Sequence, residues 1–133
     1  MKTNYAFHVL QLQHAEELEY CRLIREAIRR HISPDVLKSY TLDFWTKRLQ
    51  QDFREEETKL LPMLKSYESA CSYHNLVRLD HELIQRVMEH IVQDGSEVRV
   101  YALLAELVEQ HARYEEEVIL PRLNADYTLM QAV

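Results

Sequence analysis

The sequence predicts an all-α protein, an up-down-up-down antiparallel four-helix bundle, on three observations. Residues that form turns are scarce, since the 133 residues include one glycine and three prolines. Glu, Leu, Arg and Gln, which favour helices, fill the long stretches between the few breaks. Apolar residues recur at spacings of three and four in each stretch, as the buried face of a helix requires. Because the connections are short, neighbouring helices must run antiparallel.

The breaks divide a single domain, residues 1–133, into four helices. Ser33 suits an N-cap, and Pro34 suits the first helical position after it. Gly95 and Ser96 indicate another turn, in which the glycine ends one helix and the serine caps the next. A weaker break falls between residues 65 and 72. The predicted helices cover residues 4–32, 34–66, 71–93 and 97–130.

Charge and hydropathy exclude several classes of protein. The net charge is −6, whereas nucleic-acid binding requires clustered Lys and Arg. No apolar run is long enough to cross a bilayer. Polar residues also interrupt the N-terminal stretch where a signal peptide would need its apolar region. We therefore expect a cytoplasmic protein that binds neither nucleic acid nor a membrane, and the sequence identifies no protein partner.

One phrase occurs twice in the chain. "QQDFREEETKLLPML" at residues 50–64 aligns with "EQHARYEEEVILPRL" at residues 109–123 when their prolines are superimposed. The two copies share Arg, Glu-Glu and Leu-Pro at equivalent places, and one of the positions at which they differ bears on function. The equivalent polar pairs are Glu56 with Glu115, and Asp52 with His111. An aspartate therefore stands in the first copy where the second has a histidine.

Polar residues interrupt the apolar stripe of every predicted helix near its middle. These residues are His14 in the first helix, Asp52 and Glu56 in the second, His81 in the third, and His111 and Glu115 in the fourth. Burying an ionised carboxylate costs several kcal/mol unless it is paired or binds a metal. Three carboxylates and three histidines in buried stripes therefore require a common explanation.

Residue counts place these side chains at one level of the bundle. From His14 to the first turn is about 18 residues, and from there to Asp52 about 18 again. From Glu56 to the second turn, and from there to His81, is about ten residues each. From His81 to the third turn is about 13, and from there to His111 about 14. Because a helix rises 1.5 Å per residue, all six groups are expected to meet in one layer.

The spacing within the helices also suits metal chemistry. Asp52 with Glu56, and His111 with Glu115, are four residues apart and therefore lie on one helix face, about 6 Å from each other. Each pair can offer one terminal ligand and one bridging carboxylate. Mixed histidine and carboxylate ligands suit iron, manganese or zinc. Opposed carboxylates in a bundle core are a common way to hold two metal ions.

In their order along the chain, these phrases resemble the hemerythrin-like family, the HHE cation-binding domains. The matching phrases are "LQHAEEL" with His14, "DFREEETKLLP" with Glu56, "LDHELI" with His81, and "HARYEEEVILP" with His111 and Glu115. The resemblance spans residues 14–123. It departs from the family pattern at two positions, because Asp52 stands in a histidine's place and Leu61 in a phenylalanine's place.

The resemblance implies a four-helix bundle that holds a non-haem di-iron centre. On this resemblance, Glu56 and Glu115 would bridge the two irons. His14 would be a terminal ligand of one iron, and His81 with His111 would be terminal ligands of the other. Members of the family bind dioxygen, sense oxygen or iron, respond to nitric oxide, or help to repair damaged iron–sulfur centres. Dioxygen or nitric oxide is therefore the expected small ligand, and no catalytic residue is assigned.

Asp52 leaves three interpretations open. As a direct ligand it would favour the ferric state and lower the reduction potential, which favours an oxidase or peroxidase over reversible dioxygen carriage. If its side chain is too short, it would reach the metal through water and leave that ion weakly bound. If the site has lost its metal, a hydrogen-bonded polar layer would remain. The chain would then be a metal-free interaction module of four helices.

Overall fold

The computed structural model describes residues 2–66 and 71–122, with side-chain surroundings for residues 8–63 and 73–122. Within these ranges every regular element is a helix and no strand occurs. This confirms the all-α class that the scarcity of glycine and proline predicts. None of the helices in these ranges has both the length and the apolar composition needed to cross a membrane.

The first helix, α1, covers Lys2–Arg29 and ends before the predicted residue 32. His31 adopts a left-handed backbone conformation with φ of 59°. The backbone N–H of Ile32 donates to the carbonyl of Ala27 at 3.0 Å, and that of His31 donates to the carbonyl of Ile28 at 3.0 Å. This pair of bonds is a Schellman motif, so the helix is closed three residues earlier than its apolar stripe predicts.

The second helix, α2, runs without a break through residues 34–66 and contains two widened π-helical turns. Its parts are Pro34–Phe44, the π turn Trp45–Leu49, Gln50–Glu55, the π turn Glu56–Leu60, and Leu61–Ser66. It begins as predicted, with Ser33 in an extended conformation and Pro34 at the first helical position. The predicted break at residues 65–72 lies mostly outside the described residues.

The third helix, α3, covers Cys71–Gln93. The fourth, α4, begins with Val98–Tyr114, continues into a third π turn at Glu115–Ile119, and remains helical to residue 122. Its predicted end at residue 130 lies outside the described residues.

The turn between α3 and α4 differs from its prediction in two ways. Glu97, not Ser96, occupies the N-cap position, because the Ser96 hydroxyl donates instead to Asp94 at 2.7 Å. Gly95 has no positive φ. Its carbonyl accepts a hydrogen bond of 2.7 Å from the buried Tyr101 hydroxyl, and a Cβ at this position would collide with that hydroxyl. Glycine is therefore required here for close packing rather than for a left-handed turn.

Two apolar clusters fill the core, and the polar layer lies between them. The larger cluster includes Tyr20, Cys21, Ile24, Leu37, Leu49, Phe53, Ile84, Met88, Ile91, Tyr101, Leu104 and Val108. The smaller consists of Leu10, Leu60, Leu61, Val77, Ile119 and Leu120. Helix α1 packs extensively against α4 and also contacts α2, while α3 packs against α4 and the end of α2. Side chains from all four helices can therefore reach the layer between the clusters.

Candidate metal centre

All six polar residues predicted to form the site are buried. Their relative exposures are 1% for His14, 6% for Asp52, 2% for Glu56, 3% for His81, 1% for His111 and 0% for Glu115. Five of the six bring ligand atoms together in two groups. Asp52 is the exception, because it belongs to neither group.

The first donor group joins helices α2, α3 and α4. It consists of Glu56, His81 and His111, whose ligand atoms all lie within 4.8 Å of one another. Nε2 of His81 is 3.1 Å from Oε2 of Glu56, and Nε2 of His111 is 3.1 Å from Oε1 of the same carboxylate. Two histidine nitrogens and one carboxylate therefore converge on one position that can hold a metal ion.

The second donor group joins α1, α2 and α4. It consists of His14, Glu56 and Glu115, again with all ligand atoms within 4.8 Å. Nε2 of His14 is 2.8 Å from Oε1 of Glu115, and the same carboxylate oxygen is 3.2 Å from Nε2 of His111. Because Glu56 belongs to both groups, the arrangement suits two adjacent metal positions that share a carboxylate.

A carboxylate lies against the outward nitrogen of each histidine. Nδ1 of His81 is 3.1 Å from Glu57 and makes a hydrogen bond with it. Nδ1 of His14 is 3.3 Å from Glu116 but makes no hydrogen bond among the described residues. A hydrogen-bonded partner fixes the orientation and tautomer of a ligating ring and leaves Nε2 to the metal. In each copy of the repeated phrase, therefore, the first glutamate of the Glu-Glu pair belongs to a donor group, and the second lies near the outward nitrogen of a histidine ring.

The outward partner of His111 is Asp80, whose Oδ2 lies 3.1 Å from Nδ1 of the ring. The sequence analysis missed this residue because Asp80 belongs to α3 and reaches across to α4.

The sequence analysis also missed Phe53, whose ring stacks on His81 with centroids 4.0 Å apart and meets His111 edge-on at 5.5 Å. Phe53 is buried and covers these two rings on the side of the larger apolar cluster.

Asp52, the residue in a histidine's place, is buried beside the two groups. Its Oδ2 has no hydrogen-bond partner among the described residues. Burial, followed by the charge of Glu56, raises the pKa of Asp52 to about 7, while His14 acts in the opposite direction. The aspartate therefore sits in an environment that disfavours its charge, and its role as a ligand stays a prediction.

Glu17 is a further buried carboxylate that the sequence analysis did not select. It is 1% exposed, and its Oε1 has no hydrogen-bond partner among the described residues. Burial, followed by the charge of Glu56, raises the pKa of Glu17 well above its usual value. A signal for it exists in the sequence, since Glu17 follows His14 by three residues and so shares its helix face.

Charge pairing holds the site together in the metal-free protein. Burial would lower the pKa of His111, but Glu115 and Glu56 raise it well above its usual value. Burial would likewise lower the pKa of His14, but its hydrogen bond to Glu115 raises it. Burial would raise the pKa of Glu115, but His111 and its hydrogen-bonded neighbours hold it well below its usual value. A metal ion that binds here must displace protons from His14 and His111.

The donor set fits a metal ion in two independent ways. Three histidines and two carboxylates are ligands that iron, manganese and zinc accept. In addition, buried oxygens of Glu115, Asp52 and Glu17 have no hydrogen-bond partner among the described residues, and such atoms are costly unless something satisfies them. The π turns that begin at Glu56 and Glu115 are also of a kind that often occurs at functional sites.

No protein-family model, no curated protein and no solved structure matches this chain.

Proposed function

We propose that this chain is a hemerythrin-like up-down-up-down four-helix bundle whose centre holds two non-haem iron ions. It acts in binding or sensing dioxygen, nitric oxide or iron. One observation carries the proposal: two donor groups from four helices meet in a buried layer and share Glu56. The antiparallel order of the helices follows from the short connections at residues 30–33 and 94–97.

The ligand roles follow from the contacts in the two groups. Glu56 would be shared by the two ions, since it lies in both groups. Glu115, which lies with His14 in one group, would reach the second ion through Oε1, which is also 3.2 Å from Nε2 of His111. His14 would hold one ion, and His81 with His111 would hold the other. Bound iron would supply reversible binding of a small diatomic ligand.

The rest of the chain excludes water from this layer and orients the histidine rings. Phe53 covers His81 and His111, and apolar clusters close both ends of the layer. Glu57 and Asp80 hold the outward nitrogens of His81 and His111, and Glu116 lies 3.3 Å from that of His14. A small ligand is therefore the kind of molecule that this layer can admit.

A second candidate function is an oxidase or peroxidase activity, or iron–sulfur repair. It is favoured by the buried carboxylates of Asp52 and Glu17, because anionic groups near iron favour its ferric state. Reaction of the reduced protein with dioxygen separates the two functions. A stable, reversible adduct supports binding, whereas rapid irreversible oxidation with peroxide turnover supports oxidase chemistry.

The direct test of the site is elemental analysis of the purified protein, with absorption spectra of its reduced and air-exposed forms. We expect about two iron ions per chain and a spectrum that changes on exposure to air. His81→Ala should lose metal, whereas His90→Ala should not, because His90 lies on the same helix but is exposed.

A chelator distinguishes these functions from a metal-free interaction module. Metal bound only to the folded protein stabilises it by about 2.7 kcal/mol per ion when free metal is 100 times the Kd. Removing the metal should therefore lower Tm. An unchanged Tm, with no metal in the native protein, would show the layer to be a polar core only.

A further inference from the structure

The buried layer contains more carboxylates than two bridging positions require. Glu17, Asp52, Glu56 and Glu115 are each at most 6% exposed. Glu56 and Glu115 have histidine partners, but the buried Oε1 of Glu17 and Oδ2 of Asp52 have no hydrogen-bond partner among the described residues. Burying such oxygens without compensation is costly, so their presence calls for a cation nearby.

Both of these carboxylates belong to helices that supply the donor group of His14. Glu17 is three residues after His14 and therefore one turn away on the same face of α1. Asp52 is four residues before Glu56 and therefore on the same face of α2 as that member of the group. The carboxylate oxygens of Glu17 and Asp52 that have no hydrogen-bond partner among the described residues therefore come from α1 and α2.

On the side of His81 and His111, the positions equivalent to Asp52 and Glu17 are not carboxylates. His111 occupies the place in the repeat that Asp52 occupies in the first copy. Glu17 follows His14 by three residues. The residue three positions after His81 is Ile84, which is buried and apolar. One half of the layer is therefore rich in histidine and the other is rich in carboxylate.

We propose that Glu17 and Asp52 complete a carboxylate-rich half-site around His14, which takes a harder divalent cation than the half-site of His81 and His111. Manganese(II) is the cation of this class that the oxygen donors suit, whereas imidazole suits zinc or iron(II). This inference rests on the proposed function, since it requires two metal positions, and it assigns a different preference to each.

Charge balance supports the same assignment. Histidines bind metals in their neutral form, so the four carboxylates of Glu17, Asp52, Glu56 and Glu115 set the charge of the filled layer at −4 when all are ionised. Two divalent cations bring +4 and neutralise it. With Glu56 and Glu115 alone, the charge of two divalent cations would exceed that of the buried carboxylates by two.

The test loads chelator-treated protein with one equivalent of zinc(II) and then with manganese(II). The bound metals are counted, and the manganese is examined by electron paramagnetic resonance. We expect one zinc and one manganese per chain, with the six-line spectrum of an isolated manganese(II) ion. Glu17→Gln and Asp52→Asn should each weaken manganese binding roughly 10–100-fold and leave zinc binding unchanged.

Glu19→Gln is the matched control, because Glu19 is two residues after Glu17 on α1 but its side chain is 53% exposed. Glu17→Ile, which copies Ile84, is a second variant that removes the carboxylate without leaving a polar group buried. Circular dichroism of each metal-free variant checks that it folds.

The outcomes separate this inference from the proposed function. Native protein that binds two zinc ions and no manganese, or folded Glu17 and Asp52 variants that bind manganese like the native protein, would overturn the half-site assignment alone. Native protein that binds neither zinc nor manganese would overturn both.

Discussion

The two copies of the repeated phrase, residues 50–64 and 109–123, place the same residues in corresponding contacts. The Glu56–Glu57 pair meets Nε2 and Nδ1 of His81, and the Glu115–Glu116 pair meets Nε2 and Nδ1 of His14. A π turn begins at the first glutamate of each pair. In each copy, therefore, the first glutamate contacts Nε2 of a histidine on a facing helix and the second lies near Nδ1 of the same ring.

The copies differ at the position four residues before the inward glutamate. In the second copy His111 contacts both bridging carboxylates and is held by Asp80. In the first copy Asp52 is shorter, and its Oδ2 has no hydrogen-bond partner among the described residues. One substitution within a repeat thus makes the two sides of the layer chemically unlike while the backbone arrangement is kept.

The largest difference between the two copies is expected in metal content when the first glutamate of the Glu-Glu pair, Glu56 or Glu115, is removed. Glu56 belongs to both donor groups, whereas Glu115 belongs to one. Glu56→Ala should therefore lose both metal ions, and Glu115→Ala should retain about one. Metal content by elemental analysis measures the difference, with circular dichroism to check folding and the Gln variants as substitutes if either Ala variant unfolds. Loss of both ions in each of the two variants would show that Glu115 is shared between the ions to the same extent as Glu56.

A smaller contrast is expected between the outward glutamates. Glu57 makes a hydrogen bond of 3.1 Å to His81, whereas Glu116 is 3.3 Å from His14. Loss of such a partner typically weakens metal binding about 10–100-fold, or roughly 1.4–2.7 kcal/mol. Titration with metal should show a loss for Glu57→Gln and a smaller one for Glu116→Gln. Glu117→Gln, at an exposed position, is the control and should bind metal like the native protein.

The equivalent residues Asp52 and His111 should both make the metal-free protein less stable as pH rises. The pKa of Asp52 is about 7 in the folded state against a usual 3.8. Between these two pH values, the folded state therefore keeps a proton that the unfolded state has lost. The raised pKa of His111 gives stability that is present below about pH 6.5 and is lost as pH rises through its folded value.

Urea unfolding from pH 5 to pH 8 with chelator present measures this dependence. The free energy of unfolding should fall with pH, and Asp52→Asn should remove about 1–2 kcal/mol of that fall. His111→Asn should instead flatten the dependence above pH 6.5. If the free energy of unfolding of Asp52→Asn depends on pH in the same way as that of the native protein, the pKa of Asp52 is not raised in the folded state.

The smallest effect on stability is expected from making the copies alike. Asp52→His replaces one buried polar group with another that the second copy already accommodates, so Tm should change little. The reduction potential of bound iron should rise, because a neutral ligand replaces an anionic one. Redox titration and the absorption spectrum report on this change, and the absence of any difference in metal content, potential and spectrum would show that Asp52 does not ligate.

Several parts of this site could be predicted from particular residues. The all-α class followed from one glycine and three prolines, and the structure confirms it. The burial of the polar groups followed from their positions in apolar stripes. By contrast, the closing of α1 at the left-handed His31 and the capping of α4 by Glu97 depend on local hydrogen bonds that periodicity does not contain.

Glu17, Asp80 and Phe53 show what escaped the sequence analysis. Glu17 shares a helix face with His14, but a glutamate is ordinarily expected at the surface, and its burial is set by packing. Asp80 and Phe53 each act on a histidine from another helix. Contacts between helices depend on the rotation of each helix about its axis, and one sequence read segment by segment does not fix that rotation.

The sequence by itself determined the height of each polar group along the helices, because the rise per residue of a helix is constant. It also determined which residue types reach the layer, because the apolar stripe defines the buried face. Only the tertiary structure decided that Glu56 is shared by two groups. It also decided that Oδ2 of Asp52 and Oε1 of Glu17 are buried without a hydrogen-bond partner among the described residues. These are distances across the bundle, and they are set by how side chains of different helices pack against each other.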